Sequence, residues 1–458
     1  MIPAADLVGQ CLAIATADQT IVIVTDVSEA SLRWANSSMT TNGSSMYRRW
    51  SVLSFVDKPE GTSVGVVNSQ SADAGDIPAV VRASESAARE SAPARDAMPL
   101  LAGHDEAPDW TAPAERTAID VFSSFTPDLA QAFSHTDQLY GFAHHEVQTT
   151  WLGSSTGLRK RWVQPVGSVE INGKREYRSH TASAWTGAGT RTFGDVDMPG
   201  MLADLDTRLR WGAEQRELPA GRYETILPPS AISDLLIYMM WSMEGRGAEE
   251  GHNAFARSGG GTRIGERLTT LPLNLVSDPG TRGLEYAPFV AATSSSDLVS
   301  VFDNGMPAQR VEWLRDGVLS ALAYPRANAH EFNSTPTVPG ENLILDGGSA
   351  ATVEDMVRNT ERGLLLTCLW YIREVDPSSL LLTGLTRDGV YLIEDGTVTA
   401  AVNNFRFNES PIDLLRRISE AGSTRRTLPR EWKDWFTLTA MPPVRVPDFH
   451  MSSVSQAT

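Results

Sequence analysis

Tight-turn dipeptides between short β-type runs are the feature that most limits what the second half of this chain can fold into. Asp-Gly and Asn-Gly set a residue that tolerates positive φ before a glycine, which is typical of two-residue β-hairpin turns. The stretches WLRDGVLSALAY and GVYLIEDGTVTAAV each place such a pair between two strand-like runs. We therefore expect an antiparallel β-rich, barrel-like C-terminal domain over residues 219–458, with a few helices. The dipeptides are Asn304-Gly305, Asp316-Gly317, Asp388-Gly389 and Asp395-Gly396.

The first half mixes helix and strand patterns, which predicts a separate mixed α/β domain over residues 1–218 and a two-domain α+β fold overall. The boundary is expected in the loop QRELPAGR at residues 215–222. Segment 93–116, with its Pro, Ala and acidic residues, is expected to be an exposed loop. The expected strands are 20–26, 31–43 (ending on the turn pair Asn42-Gly43) and 157–171, and the expected helices are 77–92, 126–135 and 197–215.

The most regular helical pattern lies near the start of the second half, in PPSAISDLLIYMMWSM at residues 228–243. Ser230 is expected to cap this helix, and Asp234 is expected in its first turn, where the helix dipole favours a negative charge. A second helix is expected at residues 410–418. The apolar stripe of the first helix is Leu235, Leu236, Met239, Met240 and Met243.

Composition excludes several classes of function. The chain has 39 Lys and Arg against 56 Asp and Glu, a net charge of −17. Nucleic-acid binding requires a cationic surface, so it is not expected. No basic and apolar leader and no run of about 18 apolar residues occurs, so neither a secretory signal nor a membrane span is expected. Two distant cysteines, Cys11 and Cys368, argue against a disulfide scaffold, and we expect a soluble, cytoplasmic protein.

Two His-Glu pairs raise the question of a zinc site, because many zinc peptidase helices begin with this pair. Such a helix needs a second histidine four or five residues after the first, on the same face. After His145-Glu146 those positions hold Thr149 and Thr150, and the β-branched surroundings predict a strand. After His330-Glu331 they hold Ser334 and Thr335. The sequence therefore predicts no metal site built by this chain alone.

A serine nucleophile is a weaker alternative. GSSTG at residues 153–157 matches G-x-S-x-G with Ser155 in the centre. A nucleophile elbow needs a helix after the serine, whereas LRKRWVQPV has a strand pattern. The glycines of GAGTRTFG (187–194) and SGGGTRIGE (258–266) lack the residues of a phosphate-binding loop. From these residues alone, the chain shows no self-sufficient catalytic set.

Several segments together resemble the TldD/PmbA family of zinc-dependent peptidases. The clearest is the run LVSDPGTRGLEYAPF followed by FDNGMPAQRVEWLRDGVLSALAYPRANA, which is similar in order and spacing to the family's central block. SLRWANSSMTTNG, SSTGLRKR, DGVYLIEDGTVTAAVNNFRFNESPIDLLRRI and RVPDFHMSS resemble other family segments. The residues that match the centre of the block are Asp303, Gly305, Pro307, Gln309 and Arg310.

The resemblance implies a paired-subunit enzyme. In the family, a TldD-type subunit holds zinc with H-E-x-x-x-H on the helix that opens its C-terminal domain and with a late cysteine. The PmbA (TldE)-type subunit has the same fold without those ligands. Here the matching helix, DLLIYMMWSM, has no His and no Glu, and no Cys follows Cys368. The resemblance thus implies a metal-free subunit without catalytic residues, zinc in a TldD-type partner, and a peptide or unfolded-polypeptide substrate.

In that reading a vacant, pseudo-active cleft is expected, and five residues of the central block are its candidates. They are Asp278, Arg282, Asp303, Gln309 and Arg310. Two other functions stay open at this point. One is a stand-alone peptide-binding or scaffold protein that kept the fold without the enzyme. The other is an independent hydrolase that uses residues such as His252 or Ser155.

Overall fold

The computed structural model describes residues 2–104 and 106–455. Three short 3-10 helices lie at Ala74–Asp76, Ile119–Phe122 and Val301–Asp303. Over the described residues, no helix is long and apolar enough to cross a membrane. The α-helices are α1 (Ala4–Ile14), α2 (Ile77–Glu90), α3 (Thr126–Ala132), α4 (Met198–Trp211), α5 (Pro229–Trp241), α6 (Gly245–Glu249), α7 (Arg326–Glu331), α8 (Val353–Arg358) and α9 (Pro411–Arg417).

The strands divide between the two halves of the chain. Those of the first half are β1 (Gln19–Ala35), β2 (Ser38–Lys58), β3 (Gly61–Ser69), β4 (Gln138–Ser154), β5 (Arg159–Glu176) and β6 (Thr181–Thr190). Those that follow are β7 (Gln215–Arg216), β8 (Gly221–Leu227), β9 (Asn274–Ser277), β10 (Val311–Arg315), β11 (Val318–Leu319), β12 (Asn342–Asp346), β13 (Arg362–Leu366), β14 (Leu369–Asp376), β15 (Leu381–Thr386), β16 (Val390–Glu394), β17 (Thr397–Val402), β18 (Phe405–Glu409), β19 (Glu420–Ala421), β20 (Arg425–Thr427), β21 (Leu438–Met441) and β22 (Val444–Val454).

The N-terminal sheet is antiparallel throughout, in the order β3-β2-β1-β4-β5-β6. The predicted strands 20–26 and 157–171 and the predicted helices of this half are confirmed. The predicted strand 31–43 with its turn at Asn42-Gly43 is wrong, because this segment contains the end of β1, a turn and the start of β2. β1 and β2 instead join through Asn36 and Ser37, both at positive φ (49° and 54°). Gly43 lies inside β2, opposite Ser31. A type I′ hairpin turn needs positive φ at both central positions, and the Asn36-Ser37 pair supplies it here.

The C-terminal half contains a six-stranded sheet, β11-β10-β9-β12-β21-β20, and a ten-stranded sheet built on β14-β15-β18-β22-β8-β13-β16-β17-β7 with β19 beside β22. Most pairings are antiparallel, and the fold class is the expected α+β with a half-barrel sheet. The hairpins at Asp316-Gly317 and Asp395-Gly396 are confirmed, with positive φ at all four residues. Asp388-Gly389 also has positive φ at both residues, but it connects β15 to β16, which pair with other strands.

Helix α5 lies in the core of the C-terminal half. Leu235, Leu236 and Met239 have no exposed surface, and they pack with strands of both sheets. The predicted cap is wrong: Pro228 precedes the helix, and the Ser230 hydroxyl donates to the carbonyl of Thr367 at 3.5 Å. A helix that is apolar on almost every side is typical of a buried central element.

The segments predicted as loops are partly ordered. Residues 215–222 contain β7 and the first residues of β8, and β7 pairs in parallel with β17. Over its described residues the segment 93–116 has no regular helix or strand, but it is not fully exposed, because Leu100 and Trp110 are buried. The Trp110 carbonyl accepts the indole N–H of Trp151 at 2.9 Å.

Candidate cleft between the two halves

A cleft of about 1320 Å³ lies between the N-terminal sheet and the C-terminal half. Its floor is formed by strands β1 to β5, and its other walls by the end of α5 and by three loops. A cleft of this size at a junction between two structural units is where ligand sites are found most often. The three loops are 287–293, 339–341 and 433–437.

The alternation of β4 divides the segment HHEVQTTW between two environments. His144, Glu146 and Gln148 line the cleft, whereas His145 and Val147 are buried on the opposite face of the sheet. Successive side chains of a strand point to opposite faces, so the pair His145-Glu146 cannot act on one ligand. The prediction that this segment is a strand is confirmed.

His145 is a structural histidine. Its Nε2 lies 2.7 Å from the Arg191 carbonyl oxygen, which can only accept, so Nε2 carries the proton. Nδ1 then accepts from the Thr117 hydroxyl at 2.6 Å. Burial lowers the pKa of this imidazole. Both ring nitrogens are therefore occupied in the neutral form.

The polar groups of the cleft floor are largely bonded to each other. Arg49 donates to the Gln148 side-chain oxygen at 2.7 Å, and the Gln148 amide donates to Glu146. The Thr25 and Thr150 hydroxyls are 3.2 Å apart. Such a network gives the floor fixed donors and acceptors.

Aromatic side chains form the wall beside the end of α5. The rings of Trp241 and Trp432 lie 5.1 Å apart, and those of Trp241 and Phe436 lie 6.3 Å apart. Trp435 continues this wall, 6.3 Å from Trp432, and its surface is 74% exposed. The exposed indole of Trp435 is therefore accessible at the mouth of the cleft.

Asp234 holds this wall against α5. It lies in the second turn rather than in the first, and it is fully buried. Its Oδ1 accepts from the backbone N–H of Glu431 at 3.0 Å, and its carbonyl accepts from the Trp432 indole at 2.8 Å. Its Oδ2 has no hydrogen-bond partner. Burial raises the pKa of this carboxyl well above its ordinary value, because desolvation favours its neutral form.

The five predicted cleft residues fall into different environments, and none of them lines the cleft described above. Arg310 lies 3.4 Å from Asp278 in a surface ion pair. Asp303 is buried, and its carboxylate accepts from the Nε of Arg326 at 2.8 Å. Arg282 and Gln309 are exposed. As a set, the five stay a prediction.

Ser155 and His252 are not brought together. Ser155 lies in the turn after β4, where its hydroxyl accepts from the backbone N–H of Thr20 at 2.9 Å. His252 is an exposed residue after α6, 3.6 Å from Glu250. The interpretation of GSSTG as a turn between strands is confirmed.

Glu341 is the cleft residue that sequence reasoning missed. It comes directly before β12, lines the cleft, and is exposed to it. The cleft walls around the carboxyl raise its pKa by desolvation. The segment VPGENLILD carries no motif, so only the folded structure reveals this position.

The residues at the end of α5 do not fit a zinc ion. Within residues 2–104 and 106–455, no three His, Cys, Asp or Glu side chains lie close enough together to share a metal. The acidic residue of α5, Asp234, is surrounded by apolar side chains and bonded to the loop. Cys368 is buried beside Trp185 and Leu428, and desolvation raises the pKa of its thiol to about 12. A protonated thiol is a poor zinc ligand.

The chain is an α+β protein with a half-barrel sheet, and it matches metallopeptidase-related proteins. Residues 220–453 match the model of the PmbA/TldA metallopeptidase C-terminal domain, and the chain belongs to this family.

Solved structures of relatives show the same fold. TldE from Thermococcus kodakarensis superimposes with a TM-score of 0.79 at 14% identity, over 98% of this chain and 99% of that one. A proposed modulator of DNA gyrase from Thermotoga maritima gives 0.76 at 14% identity, over 97% and 99%. A protein of the same description from Bacteroides thetaiotaomicron gives 0.76 at 15% identity, over 98% of each chain.

Proposed function

We propose that this chain is the non-catalytic, metal-free subunit of a heteromeric zinc peptidase, and that a TldD-type partner supplies the zinc. The observation that carries the proposal is helix α5. In family members that hold zinc, the resemblance places H-E-x-x-x-H on this helix. Here the helix is apolar, buried in the core, and anchored by Asp234 to the loop that carries Trp432 and Trp435.

The role proposed for this subunit is to wall a closed chamber. A peptidase that accepts unfolded chains must keep its reactive water away from folded neighbours, and two related subunits can enclose one chamber. The cleft supplies a polar floor whose groups are already bonded and an aromatic wall that ends in the exposed Trp435. Both suit an extended peptide, which presents backbone polar groups and varied side chains.

The substrate class proposed is therefore a peptide or an unfolded polypeptide. We place the complex in a reducing compartment, the cytoplasm, since Cys11 and Cys368 are both unpaired and buried.

A stand-alone peptide-binding protein is the second candidate. The observation that favours it is that one chain already forms the whole cleft described above. The two candidates differ in one respect, because only the first requires a partner before a peptide bond is cut.

Peptidase assays on three preparations test the proposal. This chain alone, a TldD-type homologue alone, and the co-expressed pair are given an unstructured protein such as casein. The expected result is an inert single chain and an active pair. The matched control is a pair in which the first histidine of the partner's H-E-x-x-x-H is replaced by alanine, and this pair is expected to be inactive. Cleavage by the purified chain alone would overturn the proposal, and stable peptide binding without any partner would favour the second candidate.

A further inference from the structure

The charged groups of the cleft differ in whether the protein already neutralises them. Lys433 lies 3.2 Å from Glu170 and 3.0 Å from Asp434, so its charge is balanced. Glu146 accepts from Gln148, which is in turn bonded by Arg49. These groups form a closed arrangement and leave little charge for a ligand.

Glu341 is the exception. Among the described residues, no side chain or backbone donor lies within hydrogen-bond or ion-pair distance of its carboxylate. Desolvation alone raises its pKa, with no cation opposing that rise. The pKa of the neighbouring Tyr286 is raised by burial and also by the negative charges of Glu341 and Asp278. This part of the cleft therefore has a negative potential without a counter-ion.

The backbone holds Glu341 in place from both sides. A Cβ at Gly340 would lie 2.4 Å from the Tyr286 hydroxyl and 2.7 Å from the Cβ of Ser277, so only glycine allows this close approach. On the other side, the buried Asn342 donates to the carbonyls of Asp278 and Leu284, each at 2.7 Å. The carboxylate is thus mounted on a rigid segment, as recognition groups usually are.

We propose that Glu341 is a specificity-determining residue that binds a cationic group of the peptide, either a Lys or Arg side chain or a free N-terminal ammonium. This inference rests on the proposed peptide-binding function of the cleft and adds the substrate class to it. The ammonium or guanidinium supplies the counter-ion that the protein lacks at this position. The aromatic wall formed by Trp241, Trp435 and Phe436 offers ring faces and apolar surface for the rest of the cationic side chain.

Binding of defined peptides to the full chain tests the proposal. The probes are fluorescein-labelled, unstructured ten-residue peptides that carry either one central lysine or norleucine, which has a similar apolar chain and no charge. Each is made with a free and with an acetylated N-terminus, so that the two sources of positive charge are separated. Dissociation constants are measured by fluorescence anisotropy at pH 7.5 and low salt.

The expected result is that the wild-type chain binds one charged form about tenfold more tightly than its neutral counterpart. Glu341→Gln removes this preference while affinity for the neutral acetylated norleucine peptide is unchanged. Glu341→Lys reverses the preference toward a peptide with a central glutamate. The control Glu60→Gln, at an exposed carboxyl in the β2–β3 turn, leaves the preference intact.

Two results would overturn the proposal. One is equal binding of charged and neutral peptides by the wild-type chain. The other is a preference that survives in Glu341→Gln. Either result, with neutral peptide still bound and the paired complex still active, would leave the proposed function standing. If no peptide binds and the pair also fails to cleave casein, both proposals fail.

Discussion

Asp234 on α5 and Glu341 before β12 are two carboxyl groups whose pKa is raised by desolvation but whose surroundings differ. Desolvation is the largest cause of the raised pKa in both. Asp234 is buried, and its hydrogen bonds join α5 to the loop that carries Trp432 and Trp435. Glu341 faces the cleft, and among the described residues its carboxylate has no hydrogen-bond or ion-pair partner. A buried carboxyl with hydrogen-bond partners belongs to the architecture, whereas a carboxyl that faces the cleft without partners is available to a ligand.

The largest expected effect is on the free energy of unfolding, at the buried helix α5 that carries Asp234. Leu236→Ala should lower the free energy of unfolding by about 2–5 kcal/mol, because Leu236 has no exposed surface and its truncation leaves a cavity around α5. Urea denaturation followed by tryptophan fluorescence measures this. Val375→Ala, at an exposed residue of β14, should change it by less than about 0.5 kcal/mol. Equal losses in the two variants would show that α5 is not a core element.

Asp234→Asn should change how the free energy of unfolding depends on pH. Because the folded-state pKa of Asp234 is raised, the native protein keeps a proton that the unfolded chain releases above its ordinary pKa. Wild-type stability therefore falls as pH rises from about 4 toward the folded pKa, by at most about 1.4 kcal/mol per pH unit from this group. The asparagine variant lacks this slope, so its stability relative to wild type should increase from pH 5 to pH 7.

Urea titrations of both proteins at the two pH values measure this difference. Asp434→Asn, in the same loop but exposed, is the control and should run parallel to wild type. Parallel curves for Asp234→Asn would mean that Asp234 is ionised in the folded protein.

At Glu341, which faces the cleft, pH should change the preference for a cationic peptide. Glu341 must be ionised to hold a cation, and its pKa is raised. The preference for the lysine peptide should therefore be complete at high pH and be lost as pH falls through that raised pKa, earlier than for an ordinary glutamate. The ratio of the two dissociation constants, measured from pH 8 to pH 5, tests this. A ratio that stays constant would contradict the role of Glu341.

The smallest expected effect is on stability at the open site. Glu341→Gln loses no partner and removes a desolvated charge, so it should leave the free energy of unfolding unchanged or raise it slightly, by about 0.5 kcal/mol at most. Thermal denaturation with Glu60→Gln as the reference measures this. A large loss would place Glu341 in the architecture with Asp234 and remove the contrast between them.

Local patterns predicted local structure well. The Asp-Gly pairs at 316–317 and 395–396 form the expected hairpins, since the turn chemistry is contained in two residues. The turn prediction at Asn42-Gly43 was wrong because β2 runs through this pair, opposite Leu32 and Ser31 of β1, and the two strands join earlier, at Asn36-Ser37. The position of that turn is set by the pairing of two long strands and not by the dipeptide.

The site was harder to predict, for a tertiary reason. The cleft brings β4, the end of α5, residue 341 and the loop 433–437 together from positions about 300 residues apart. The candidates taken from the central block do not line the cleft, and the side chain of Asn342 is hydrogen-bonded to the backbone of Asp278. Glu341 belongs to no recognisable pattern, so its role follows only from what surrounds it.

The central claim is that this chain contributes walls and recognition groups while the metal belongs to its partner. Native mass spectrometry of the co-purified pair, with the subunits then separated in the gas phase, measures zinc on each chain directly. The account predicts one zinc per pair, carried by the TldD-type subunit, and none on this chain. Stoichiometric zinc on this chain would contradict the account and would show that α5 and its surroundings are not the metal-free counterpart proposed here.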